Sequence, residues 1–487
     1  MRKRFEQQMR IGQLPISELQ INPKSTNAMD QLITALKEIY CNSKYNERIY
    51  IILEELLEEK SKSNGRPGMD LWVIFVLAQV RLCMNYSYDM LHHQANNDYR
   101  LRYLLGLETD KYWPAERTEY AYQQIYDNVS CITDEMLVKI NTVIVEFGHN
   151  EVFKKKENTA LRLKTDSFVV ESNVHFPTDY NLLWDCNRKC LDMIDKFQER
   201  HPSMTGWRKI KLWRRDLKSH MRELGRVSNG GGKQKEERLK ETAGKYISKS
   251  KLLLEKLNEA LPTLPATDIT DLVIYYSLVR YMELMKKHID LVERRIIKGE
   301  QIPHEEKMFS IFETYTEWIK KGKLRPSVEL GKKVNITTDQ WGLILDYQIM
   351  NHQQDKDIVI ELSDRILNKF EVTSWSFDKG YWNAENRDLL RLYIDDVIMP
   401  KLGKLSGKDA EIENSRLFKK QKNKHSAVES NINELEHRGL DRCPDKGEHH
   451  FNSYIGLAVC AYNLKKIGRA ILKAREKEEE ELSGKAA

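Results

Sequence analysis

The residues best suited to chemistry in this chain are acidic and far apart. Asp166 lies in LRLKTDSFVV, a run from Leu161 to Val170 whose alternation predicts a β-strand. Strands disfavour Asp, and a carboxylate beside Phe168, Val169 and Val170 is costly to bury unless it meets a proton, a cation or several donors. Taken alone, Asp166 reads equally well as an edge residue facing solvent. Two further acids have matching settings: Asp378 directly follows the strand-like VTSWSF, and Glu429 stands inside a basic helical segment. Two or three carboxylates in contact repel one another at neutral pH unless cations bind between them. Oxygen-rich carboxylate sites suit Mg²⁺ or Mn²⁺, which polarise phosphates and activate water.

The elements that would position these acids come in a definite order. After the first strand the β character stops at Asp179, and residues 182–320 are dominated by helix formers with breaks at Pro202, Gly230 to Gly232, Pro262 to Pro265 and Gly299 to Pro303. Strands are then predicted for Val328 to Thr337, Trp341 to Met350, Glu371 to Phe377 and Asp395 to Met399. Helices are predicted for Ile358 to Phe370 and from Asn383. The order β, helical block, β, β, α, β, α, β, α is that of an α/β fold with a mixed sheet whose first strand lies beside its fourth. Asp166 and Asp378 would then be neighbours, and the last helix, with Glu429, can cross the same edge.

The helical block contains the most basic segment of the chain, WRKIKLWRRDLKSHMREL from Trp207 to Leu224. Its Arg208, Lys209, Lys211, Arg214, Arg215, Lys218 and Arg222 can neutralise phosphates, with Trp207 and Trp213 available to pack or stack beside them. The bland alternative is a solvated helix face. GGGK at Gly230 to Lys233 lacks the Ser or Thr and the preceding strand of a phosphate-binding loop, so it reads as a linker.

Helical periodicity also fills the N-terminal third, broken by a turn at Gly65, Pro67 and Gly68, with Thr133 as an N-cap and Gly148 ending that helix. Short helices there carry Arg81, Arg100, Arg102 and Arg117, cations that could seat a helix in a DNA groove. At 487 residues, 31% charged, with a formal charge of +6 and a mean hydropathy of −0.62, the chain reads as a multidomain soluble protein. Its apolar runs are too short for a membrane span, and a basic start without an apolar segment behind it predicts no secretory signal, so the expected compartment is the cytoplasm. Seven scattered cysteines without a CxxC pair read as reduced thiols. Cys186 and Cys190 stand one helical turn apart with no second pair to complete four ligands.

Four segments together carry a resemblance: KTDSFVVESNVHFPTDYNLLWD, VELGKKVNI, SFDKGYWNAEN and KHSAVESNINELEHRGLDRCPDKG. The chain resembles the DDE transposases of bacterial insertion sequences, in the branch whose helical region interrupts a ribonuclease-H-like fold after the first strand. GRPGMD and YRLRYLLGL resemble the N-terminal domain of that group. The resemblance implies a helical DNA-binding domain over 1–150 and a ribonuclease-H-like catalytic domain in two parts, 151–180 and 325–465. A helical insertion would occupy 181–324 and a charged tail 466–487.

The resemblance also implies a D, D, E triad of Asp166, Asp378 and Glu429 holding two Mg²⁺ or Mn²⁺ ions, with Glu434 and Glu436 as competing third ligands. Related transposases often carry a Tyr, an Arg four residues before the Glu and a Lys seven after it; here those places hold Lys422, His425 and Glu436. His425 would then take the Arg's phosphate contact, with His437 or Arg438 replacing the Lys, and Lys419, Lys420, Lys422 and Lys424 would hold the cut strand. The implied activity is cleavage at element ends and strand transfer into target DNA, by a homodimer on paired double-stranded ends in a bacterial cytoplasm, at the nucleoid. The alternatives are a transposase-derived DNA-binding regulator without catalysis and a metal-dependent nuclease without strand transfer.

Overall fold

The computed structural model describes residues 3–5, 15–58, 68–108, 118–155, 159–320 and 327–486. The turn residues Gly65 and Pro67, and Arg117, lie outside them. The chain divides into two compact units, residues 1–173 with 319–487, and residues 174–318.

In the first unit, eight α-helices among the described residues precede the first strand: α1 (Ala28–Cys41), α2 (Ser43–Leu53), α3 (Glu55–Glu58), α4 (Leu71–Cys83), α5 (Tyr88–Asn97), α6 (Tyr99–Leu104), α7 (Tyr122–Val129) and α8 (Asp134–Phe147). Apolar residues throughout its length make α4 a buried helix on every face. Thr133 caps α8 as predicted, accepting the Met136 N–H at 3.3 Å. Gly148 ends that helix as its C-cap, as predicted, with right-handed backbone, and the chain continues as a wider turn to Val152. The glycine is there for closeness, since a Cβ would meet Ile467 and Leu343 side-chain atoms at 3.0 Å.

The sheet is mixed, with seven strands: β1 (Leu161–Ser172), β2 (Glu317–Lys320), β3 (Val328–Thr338), β4 (Ile344–Ile349), β5 (Val372–Phe377), β6 (Asp396–Ile398) and β7 (Arg442–Cys443). Its order is β2-β3-β1-β5-β6, with β4 also on β3 and β7 also on β1. β1 is antiparallel to β3 and parallel to β5, so the first strand does lie beside the fourth long one. Every predicted strand of this region is present, and the architecture is α/β.

The second unit holds the long helices α9 (Asp179–Arg200), α10 (Ile210–Asn229), α11 (Lys235–Ala260) and α12 (Ile269–Val292). Breaks fall at Pro202, Gly230 and Pro262, as the sequence predicts. Leu182, Leu183, Ile194, Phe197, Leu217, Tyr246 and Leu278 build its core, and Cys186 and Cys190 are buried among them as small apolar groups. The unit begins and ends earlier than the expected 181–324.

Back in the first unit follow α13 (Val359–Leu367), α14 (Ala384–Leu390), α15 (Gly407–Asn414), α16 (Arg416–Leu435) and α17 (Glu448–Ala486). Two expectations need correction here. The N-terminal helices are not a domain of their own, because α17 runs across α1, α4 and α8 and joins them to the sheet. Asn463 on α17 receives the Ile344 N–H of β4 at 2.8 Å and donates to Ile344 O and to Asn141 of α8. Nor is 466–487 a tail set apart from the fold, since Ile467 and Leu472 are buried. Gly468 lies so close to α1 that a Cβ would stand 1.7 Å from the Gln31 carbonyl oxygen.

Candidate active site

The register of the two central parallel strands sets the first two acids side by side. Thr165 pairs with Phe377, so Asp166 and Asp378 are the next residues on strands about 5 Å apart. Phe377, Trp375 and Thr165 are buried beneath them, with the Trp375 indole donating to Thr165 Oγ1 at 2.7 Å. Asp378 is exposed and extended at the start of the helical turn Lys379–Tyr381, and its carboxylate caps no N–H there. It is therefore free for a ligand.

Glu429 comes from α16, which packs on β1, β5 and β6. Phe418, His425, Val428, Ile432 and Leu435 form the buried stripe of this helix, leaving Glu429 exposed one position past Val428. The electrostatics record the convergence. Burial pushes the Asp166 carboxyl up to about 7, the Ser167 N–H at 2.7 Å opposes that rise, and the negative charges of Asp378, Asp355 and Glu429 add to it. The rival third acid Glu434 is engaged: desolvation raises its carboxyl, but the bond from Lys465 wins and holds it below the usual range.

Asp355 is a fourth acid that sequence reasoning missed. It opens the short turn Asp355–Asp357, accepts Ser167 Oγ–H at 2.7 Å and the Lys333 ammonium at 3.1 Å. Gly380 lets it approach, since a Cβ there would stand 2.9 Å from Asp355 Oδ2. Asp355 lies in a polar loop with no periodic setting, so only the folded chain brings it to the site.

The predicted cations divide into free and engaged. Lys419, Lys420, Lys422 and Lys424 are exposed along α16, on the helix that carries Glu429. His425 is not among them. It is only 8% exposed, its Nδ1 lies 3.0 Å from Ser376 Oγ, and burial pushes the imidazole down to about 4 against the pull of Asp378. A neutral buried ring gives no charged phosphate contact, and that expectation is corrected. Arg438 likewise donates to the Cys83 carbonyl at 2.6 Å.

In the second unit Arg208, Lys209, Lys211, Arg215 and Lys218 are exposed at and before α10. Arg214 instead bridges Asp192 and Asp195 at 2.8 and 3.1 Å. Trp207 is buried under Lys256 and Trp213 faces Lys249 at 4.3 Å, so both indoles are engaged within the unit rather than open to stack on bases. In the first unit the N-terminal arginines are structural. Arg81 is buried and bidentate to Asp445, Arg102 is buried against the Glu108 and Thr118 carbonyls, and Arg100 binds Asp30 and Asp98. Cations held this way are not available to a DNA groove, which removes three of the four that singled out this region for DNA binding, the fourth, Arg117, lying outside the described residues.

The donor set fits a hard divalent cation: oxygen ligands only, one carboxyl raised by burial and further by its acidic neighbours, and two exposed ones beside it. Among the described residues no three His, Cys, Asp or Glu side chains already close on one point, so the acids converge without forming a finished cage. Among the described residues, too, no helix is long and apolar enough to cross a membrane. The chain matches no family model, no curated protein and no solved structure.

Proposed function

We propose that this protein is a metal-dependent DNA strand-transferring enzyme of the DDE transposase type, with a ribonuclease-H-like catalytic core. One observation carries the reading: Asp166, midway along β1, stands in parallel register beside Asp378, which directly follows the end of β5, and Glu429 and Asp355 add their negative charge to a carboxyl already raised by burial. A carboxylate cluster of this kind on the two central strands has no structural value of its own. It is costly until a cation neutralises it.

Asp166, Asp378 and Glu429 would hold two Mg²⁺ or Mn²⁺ ions, which when bound polarise the scissile phosphate and stabilise the attacking and leaving oxygens. The protein residues supply position and charge. Trp375, Phe377 and Thr165 fix the strand ends from below, and Lys333 holds Asp355 beside Ser167. Lys419, Lys420, Lys422 and Lys424 present cations to the strand backbone along the same helix as Glu429. In this reading the partners are double-stranded element ends and target DNA, bound by a homodimer in the bacterial cytoplasm.

The test uses labelled element-end DNA, a target plasmid and Mg²⁺. Joined product is expected from the wild-type protein. Asp166→Asn and Asp378→Asn should each abolish strand cleavage while end binding stays nearly intact. Full Mg²⁺-dependent nicking by either variant sinks the assignment. Nicking without joining would identify a nuclease, and binding alone a regulator.

A further inference from the structure

Beside the carboxylates lies a cleft of opposite character. It has a volume of about 440 Å³ and opens between β1, β5 and α16, lined among others by Arg162, Lys164, Lys424, Ser374, Ser376 and Gln421. Arg162, Lys164 and Asp166 alternate along β1, so all three point to one face of the sheet. Lys164 is therefore one strand step, roughly 7 Å, from Asp166. Among the described residues none of Arg162, Lys164 and Lys424 forms an ion pair with a carboxylate.

Nothing in the sheet's packing requires this arrangement. Two of the three cations facing the cavity stand on a strand whose other face already supplies the buried core. Neutral polar groups complete the lining: Ser374, whose hydroxyl lies 3.5 Å from Gln421 Oε1, Ser376, whose hydroxyl lies 3.0 Å from His425 Nδ1, and the Gln421 carboxamide, which donates to Asp396 at 2.7 Å and so fixes α16 over β6. Cations in a polar setting around a cavity of this size form a binding surface for a phosphate ester with room for the attached nucleoside.

We infer that this cleft holds the phosphodiester next to the scissile one on the same DNA strand. The one-step spacing from Asp166 carries the choice of ligand, because a strand with one phosphate at the carboxylates must lead its neighbour along β1. This placement rests on the proposed cleaving role of Asp166, whereas the anion preference of the cleft does not. The cleft thus sets the direction in which the strand crosses the site, towards the Leu161 end of β1.

The full-length protein is titrated with a fluorescent single-stranded oligodeoxynucleotide in EDTA, by anisotropy, over a range of NaCl concentrations. Lys164→Met and Lys424→Gln should each weaken binding several-fold and lower the salt slope by about 0.7, one contact on a single strand. Lys424→Gln is a surface change on a helix and keeps the test open if the Lys164 variant misfolds. A single neutral methylphosphonate at the phosphate adjoining the cut should weaken wild-type binding as much as Lys424→Gln does, with no further loss when the two are combined. Unchanged slope and affinity in both variants overturns the inference. So does full competition by inorganic phosphate at concentrations comparable to the oligonucleotide, which would make the cleft a free-phosphate site. Run beside the Asp166→Asn nicking assay, the two readings separate. Lost nicking with unaltered Lys164 and Lys424 binding discards the cleft and keeps the enzyme. Retained nicking with weakened binding discards the enzyme and, with it, the scissile neighbour.

Discussion

Removing the Asp166 charge should stabilise the folded protein, in a pH-dependent way. Asp166 ionises near 3.8 when exposed and is pushed up to about 7 in the fold by burial and by Asp378, Asp355 and Glu429. Below about pH 4 the carboxyl is neutral in both states and contributes nothing. As pH rises from about 4 to 7 the unfolded chain releases the proton that the folded chain retains, so stability falls across that window and levels off above it. The loss amounts to about 4 kcal/mol at 1.4 kcal/mol per pKa unit. Asp166→Asn keeps the Ser167 N–H bond through its carbonyl oxygen but buries an amide, which offsets about 1 kcal/mol. The variant should therefore be about 3 kcal/mol more stable than wild type near pH 8 and no more stable near pH 4. Urea unfolding followed by the fluorescence of buried Trp375, in EDTA and at several pH values, measures this. Adding Mg²⁺ near pH 8 should raise the stability of the wild type and leave the Asn variant unmoved. Parallel pH profiles for the two proteins in EDTA would refute the reasoning, because they would mean that the carboxylate is solvated and not opposed by its neighbours.

Other substitutions separate structural from contacting charges. His425 is held near 4 by burial, below its usual range, so protonation costs stability as pH falls from about 6.5 to 4; His425→Leu should flatten that acid limb and leave the salt dependence of DNA binding unchanged. Neutralising Arg208, Lys211 and Arg215 should reduce the salt slope for duplex DNA by nearly one per lost phosphate contact, read by anisotropy. Arg214→Gln should leave the slope alone and lower the melting temperature, since Asp192 and Asp195 lose their shared partner. Gly468→Ala should cost roughly 3 kcal/mol in urea unfolding by forcing α17 off the Gln31 carbonyl.

The sheet was legible because its strands alternate strongly and are bounded by clear turns. The adjacency of Asp166 and Asp378 followed from element order alone, once residues 182–320 were taken as an interruption. Side-chain engagement was not legible. Arg81, Arg102 and Arg214 look in sequence like Lys419 or Arg215, and only their distant partners Asp445, the Glu108 carbonyl and Asp192 distinguish them. His425 was misplaced for a related reason: its neighbours Lys422 and Lys424 are exposed, yet its own position falls on the stripe of Phe418, Val428 and Ile432. Asp355 came from neither pattern, being held in place by Ser167 and Lys333 across the sheet. Gly148 marks the end of α8 as its sequence suggests, but its closeness to Ile467, more than 300 residues away, was not legible.

The crossing of α17 over the first helices also has a cost in time. Arg475 binds Glu38 across 437 positions, Gly468 closes on Gln31 over the same span, and Asn463 reaches Asn141 across 322. During synthesis the apolar faces of α1 and α8 must therefore wait for their covering helix, roughly 20 to 90 s at ordinary ribosomal speeds. For that interval the early helices are a client for holding factors, and a slower translation rate lengthens their exposure to aggregation. In this fold the N-terminal region is made first and completed near the end.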